Sequence, residues 1–157
     1  MTADRDSVVF HATVELQTVV NGDFIPQQVN EYWADVLHQS SAAPHPPSWC
    51  GAFALWCLHQ AGLASEQKWM FGPPHYGFCY ALERLEPGAA PKPGDVGYQD
   101  QPYQHHFLVA SVDGDTVHTI EGNQGPAHPI QAHERKLHAP GVVYYSIVGL
   151  LPERDDF

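Results

Sequence analysis

The sequence predicts an α+β fold, helices first and an antiparallel sheet afterwards, from three observations. Apolar residues early in the chain recur at helical spacing, the second half is rich in β-branched and aromatic runs, and Asp113-Gly114 separates two of those runs as a hairpin turn would. No internal repeat appears and no linker is long enough to divide the 157 residues, so one domain over residues 1–157 is expected.

Taken in order, SVVFHATVELQTVV fits a strand alternation (Val8, Phe10, Ala12, Val14, Leu16) as well as a helical face (Val9, Leu16, Val20), and the reading adopted is a helix. Asn21-Gly22 breaks it. Pro26 serves as the first helical residue of QQVNEYWADVLHQ, where Val29, Tyr32, Trp33, Val36 and Leu37 form one apolar stripe. SSAAPHPPS is a proline-rich loop, and Ser48 is the expected N-cap of a helix from Trp49 to Gly62. That helix is apolar on nearly every side, with only His59 and Gln60 clearly polar, which predicts central burial. From Ser65 to Pro93 the pattern is irregular: FGPPHYG reads as a turn-rich segment, FCYALERLE as a short helix and PGAAPKPGD as a connector. The runs DVGYQ, HHFLVASV, DTVHTIEG and GVVYYSIVGLL are the expected strands.

Composition narrows the function. A net charge of -11, from 18 acidic against 7 basic residues, repels nucleic acid and anionic membrane surfaces, and no basic cluster overrides it locally. The start MTADRDSVVF carries acids where a signal peptide needs basic residues, and no apolar run approaches the ~18 residues that span a bilayer. Synthesis and retention in the cytoplasm are expected unless a non-classical exporter or a lytic release carries the chain out. Cys50, Cys57 and Cys79 are an odd number, and Cys50 and Cys57 stand about 10.5 Å apart along a helix, beyond the ~7 Å a disulfide tolerates. At least one thiol is free.

A cysteine at a helix N-terminus sits in the positive end of the helix dipole, which favours thiolate over thiol. Cys50 has that position and Cys57 does not. The backbone N–H groups of Cys50 and Gly51 lack intrahelical acceptors and can hold a developing oxyanion. A thiolate nucleophile needs a base, and His105 and His106 open the strand HHFLVASV, where alternation lets only one of them face the helix. Beyond the hairpin turn, Glu121 or Asn123 of TIEGN is placed to hydrogen-bond the far nitrogen of the imidazole.

PSWCGAFALWCLHQAGL, PKPGDVGY and HHFLVASVDGDTVHTIEGN together resemble, in the same order, the three blocks of the CHAP and NlpC-type amidase/peptidase group of papain-like cysteine hydrolases. The blocks run from Ser48 to Asn123, about half the chain. The resemblance implies Cys50 as nucleophile, His106 as general base, and Glu121 or Asn123 as the orienting residue, without deciding between them. It implies a papain-like core, with the cysteine helix against a sheet that bears the histidine, and hydrolysis of amide bonds in peptidoglycan without cofactor or metal. Two departures stand out: Phe-Leu-Val follows His106 where the family commonly has small residues, and MFGPPHYGFCYALERL has no counterpart.

Other conspicuous residues have plainer readings. Cys57 and Cys79 are core packing. His118, His128, His133 and His138 lack the spacing of a zinc site. Trp49 either lines the cleft as a substrate platform, beside His105 as a second substrate contact, or anchors the helix start. Asp95 caps a turn. The mechanism expected is attack by Cys50 on an amide carbonyl, with bacterial cell-wall peptide as substrate, delivery by a secretion machine or phage lysis, and a possible cognate immunity protein as partner. Two alternatives keep the fold: a deamidase or acyl transferase acting on a protein side chain, and a binding domain that has lost activity.

Overall fold

The computed structural model describes residues 4–63, 69–70 and 77–152. Helix α1 (Arg5–Val20) begins where Asp4 accepts a hydrogen bond from the Ser7 backbone N–H at 2.8 Å, a capping arrangement that satisfies one orphan donor of the first turn. Its buried face runs through Val8, Ala12, Glu15 and Val19, one position off the face expected from Val9, Leu16 and Val20. Glu15 is the reason a plain count of apolar residues misplaces that face. The carboxylate is buried, accepting from the Tyr32 hydroxyl at 2.6 Å and the Gln28 side chain at 2.9 Å.

Helix α2 (Gln28–Leu37) starts two residues after Pro26 and buries Tyr32, Trp33 and Val36, with Val29 and Leu37 packed at the margin of the core. Helix α3 (Cys50–Gln60) is central, as its sequence requires: every residue from Cys50 to Leu55, then Cys57 and Leu58, is buried. It packs against α1, α2 and the sheet. Ser48 does not cap it. The N-cap position falls on Trp49, whose side chain makes no capping hydrogen bond, while Ser48 is exposed. No helix among the described residues is long and apolar enough to cross a membrane.

Six antiparallel strands follow: β1 (Glu83–Arg84), β2 (Val96–Gln99), β3 (His105–Asp113), β4 (Thr116–Glu121), β5 (Gln131–Lys136) and β6 (Val142–Ser146). Their order in the sheet is β1-β6-β2-β3-β4-β5, which puts β3 in the interior under α3. The expected α+β architecture is present, with a papain-like placement of the cysteine helix on the sheet. FCYALERLE is not a helix beyond a single 3-10 turn at Cys79–Ala81, and its later residues form β1 at the sheet edge. Most of FGPPHYG lies outside the described residues; its last residue, Gly77, makes an antiparallel bridge with Met70. Strand β5, QAHERK, has no apolar run because it is an edge strand in which half-buried and exposed residues alternate. Asp95 caps its turn, accepting from the Lys92 N–H at 2.8 Å, and it also binds Arg5 at 2.7 Å, tying α1 to the sheet.

Candidate active site

Cys50 is the first residue of α3, at a helix mouth that no side chain caps, so the amides of Cys50 and Gly51 keep their hydrogens for an incoming group. The thiol lies on the floor of a groove of about 170 Å³ walled by Trp33, Trp69, Pro46 and His106, with Ser48 and Gln104 at its margin. Trp49 is not in this groove. It packs against Tyr32 and Phe53, as an anchor of the helix start, and borders a separate apolar pocket that Asn123 also lines.

Both histidines of the doublet reach Cys50. Burial pushes the Cys50 pKa up, but hydrogen bonding to His105 and then to His106 more than reverses this and brings it down to about 5. Burial, with the nearby Glu15 carboxylate adding to it, raises Cys57 well above the ordinary thiol range, and burial lifts Cys79 to about 12. Only Cys50 is prepared as a thiolate. All three cysteines are free of disulfides.

Glu121 chooses between the two imidazoles. It accepts a hydrogen bond from His105 Nε2 at 2.7 Å, and with that nitrogen committed, Nδ1 is the one left for the sulfur. Among the described residues His106 has no such partner: its Nε2 is buried without any hydrogen bond. The expected base, His106, therefore lacks the orienting carboxylate, which belongs to His105. The reason is the strand register. Near the turn Asp113 pairs with Thr116, Val112 with Val117 and Ser111 with His118, but beyond a bulge at Ala110 the pairing shifts, and Val109 meets Thr119 and Leu108 meets Ile120. Continued without the shift, Glu121 would lie opposite Leu108, on the side of His106; with it, Glu121 lies opposite Phe107, on the side of His105.

The two sides are distinct. Leu108 and Ile120 belong to the core around α3, whereas Phe107, Val109 and Val117 form a second cluster on the other side of the sheet. The expectation that one histidine faces the helix holds for His106. His105, at the first residue of β3, still reaches Cys50 from the sheet's end.

Glu121 is itself held. Arg135 of β5 donates to both carboxylate oxygens, Nη2 to Oε1 at 2.8 Å and Nε to Oε2 at 2.9 Å, and the Thr119 hydroxyl donates to Oε2. Burial raises the carboxyl pKa, yet Arg135, His105 and Thr119 together bring it down to about 2. Arg135 also donates to Gln99 at 2.8 Å and lies over the Phe107 ring at 4.0 Å. His105 responds in the opposite sense: burial lowers it, but Cys50 and Glu121 raise it to about 9. Thiolate and imidazolium are thus the matched forms between about 5 and about 9.

Asn123 takes no part in this line of contacts. It is exposed, with φ at 58° in the left-handed region. The next residue, Gln124, does reach the site: its amide nitrogen is 3.5 Å from His105 Nε2 and its oxygen is 2.8 Å from His133 Nε2. Arg135, Thr119 and Gln124 were not legible as site residues, although an arginine alternating with exposed residues in QAHERK was a strand signal in polar form.

A thiol at a helix mouth, an imidazole at the start of a neighbouring strand, and a carboxylate behind the imidazole define the papain-like arrangement. Within that class, the chain belongs to the CHAP domain family, whose model matches residues 41–123, just over half of its length. Two solved structures of Ly7917 are similar at 16% identity. One has a TM-score of 0.41 and aligns with 77% of this chain; the other, solved with the hydrolyzing product of MDP, has a TM-score of 0.42 and aligns with 76%. This chain spans 62% of the length of either. Among curated proteins, none matches.

Proposed function

We propose that this chain is a cysteine hydrolase that cleaves amide bonds in bacterial peptidoglycan, with Cys50 as nucleophile, His105 as general acid and base, and Glu121 as the group that orients His105. The observation that carries this reading is the unbroken line of contacts from the Cys50 thiol through His105 to Glu121 and Arg135. CHAP membership supports the substrate class.

In the resting site the proton sits on His105 and the sulfur is anionic. The thiolate attacks the amide carbonyl, a C–S bond forms, and the carbonyl oxygen takes the negative charge beside the amides of Cys50 and Gly51. His105 gives its proton to the amide nitrogen, the C–N bond breaks, and the amine leaves. The neutral imidazole then takes a proton from water, whose hydroxyl attacks the thioester; the C–S bond breaks, a carboxylic acid is released, and the thiolate–imidazolium pair is restored. Glu121 stays ionised throughout, because its pKa lies far below the working range.

Digestion of purified sacculi tests the assignment: wild type releases muropeptides with new termini, and Cys50→Ala releases none. A wild-type preparation that leaves sacculi intact while a protein target gains the mass of a deamidated side chain would replace the wall substrate with a protein one. Delivery to the periplasm by a secretion machine or phage lysis, and a cognate immunity protein, belong to the same proposal. Targeted expression in the periplasm is expected to lyse cells with wild type and spare them with Cys50→Ala.

A further inference from the structure

We propose that His106 is a second catalytic imidazole, a neutral donor whose Nδ1–H holds the Cys50 sulfur from the groove side while His105 handles the proton. This rests on the cysteine-hydrolase reading above and assigns a role that the Cys50–His105–Glu121 line leaves open.

The ring is fixed with unusual closeness. Phe78 stacks on it at 5.5 Å with planes 12° apart, Tyr98 meets it edge-on at 5.0 Å, and Trp69 packs at 6.1 Å. Two glycines make room for its edges. A Cβ on Gly51 would sit 2.9 Å from Nδ1, and a Cβ on Gly77, where φ is 104°, would sit 2.4 Å from Nε2. Nδ1 is therefore the edge turned to the mouth of α3, where Cys50 lies, and Nε2 is turned away from it. His106 lines the groove over the thiol, so its position is reached from the substrate side.

The orphaned Nε2 favours one tautomer. An imidazolium, or the Nε2–H tautomer, would bury an N–H with no acceptor, whereas the Nδ1–H tautomer buries only an unused lone pair, the less costly omission. Among the described residues, the rings in contact with His106 carry no charge, Tyr98 and Cys50 are the titratable groups that face it, and the neighbouring His105 is turned to Glu121 on the other side of the sheet. A neutral donor cannot replace His105 as the acid, but it stabilises the anionic sulfur before attack. A hydrogen bond to a charged acceptor is worth roughly one to two pH units of thiolate stability.

The test follows iodoacetamide alkylation of Cys50 against pH, read by mass spectrometry of its peptide, and needs no peptidoglycan. His106→Phe keeps the ring packing and removes the donor, so alkylation at pH 5.5 is expected to fall about three- to twenty-five-fold. His106→Asn puts an amide N–H near the Nδ1 position and is expected to restore most of the wild-type profile. A His106→Phe profile identical to wild type overturns the proposal, as does an Asn variant shifted as far as the Phe variant. Should His106→Phe misfold, nitrogen NMR of wild-type His106 decides: Nδ1–H is expected, and an Nε2–H tautomer overturns the assignment. Loss of the peptidoglycan reading looks different, since wild type would then show the low-pH thiol profile and yet release nothing from sacculi.

Discussion

His105 and His106 are adjacent in sequence, each is 4% exposed, and both reach one sulfur and pack against aromatic rings, yet only one of them has a charged partner behind it. His105 is embedded in charge: Glu121 at 2.7 Å, and Arg135 bound to that carboxylate through two bonds. His106 is embedded in aromatic rings with one nitrogen unused. The difference teaches that an imidazole's task is set by what stands behind it. A carboxylate behind the ring raises its basicity and lets it carry a proton, and an apolar wall behind it leaves a neutral donor.

That contrast can be broken most severely at His105. His105→Ala is expected to lower kcat on sacculi by about 10³-fold or more, because it removes acid and base from both half-reactions, while His106→Phe costs at most about a hundredfold. Equal losses from the two variants would erase the distinction. Glu121→Gln comes next. It keeps the shape and removes the charge, with kcat expected to fall about a hundredfold and stability in urea by roughly 2–3 kcal/mol, since half-buried Arg135 loses its acid. The carboxyl is depressed to about 2 in the folded chain, so its contribution to stability is complete above the ordinary carboxylate range near 4.5 and is lost as pH falls towards 2.

The pH profile sharpens the comparison further. Activity requires the thiolate, gained above about 5, and the imidazolium, lost above about 9, so kcat/KM is expected to form a broad plateau between those limits. Glu121→Gln is expected to draw in the alkaline limb and leave the acid limb nearer its place; His106→Phe is expected to raise the acid limb alone. Smallest of all is Asn123→Ala, expected to change kcat by less than about threefold, because the side chain is exposed and away from His105.

The sequence made much of this site readable. The all-round apolar character of the helix after SSAAPHPPS fixed its burial, and its first-turn cysteine fixed the position of the thiol, because both follow from local pattern. The hairpin at Asp113-Gly114 brought the histidine doublet near TIEGN for the same reason. What the pattern did not carry was the register. A bulge adds a residue to one strand with no sequence mark of its own, so alternation counted from the turn favours His106, and the chain pairs Glu121 with His105 instead. Ser48 failed as a cap because N-cap preference is a local tendency, and leaving that helix end open keeps the amides of Cys50 and Gly51 available. Arg135 was out of reach because its strand borrows its stability from β4 and announces nothing apolar.

The bulge at Ala110 gives the paired histidines a meaning beyond their separate tasks. Smoothing that bulge out, with every residue kept and the pairing slipped by one, would hand the carboxylate from one ring to the other, where a strand with a lone histidine would leave the acid facing nothing useful. Here either register of the strand presents an imidazole to Glu121, so the doublet makes the site tolerant of a one-residue slip.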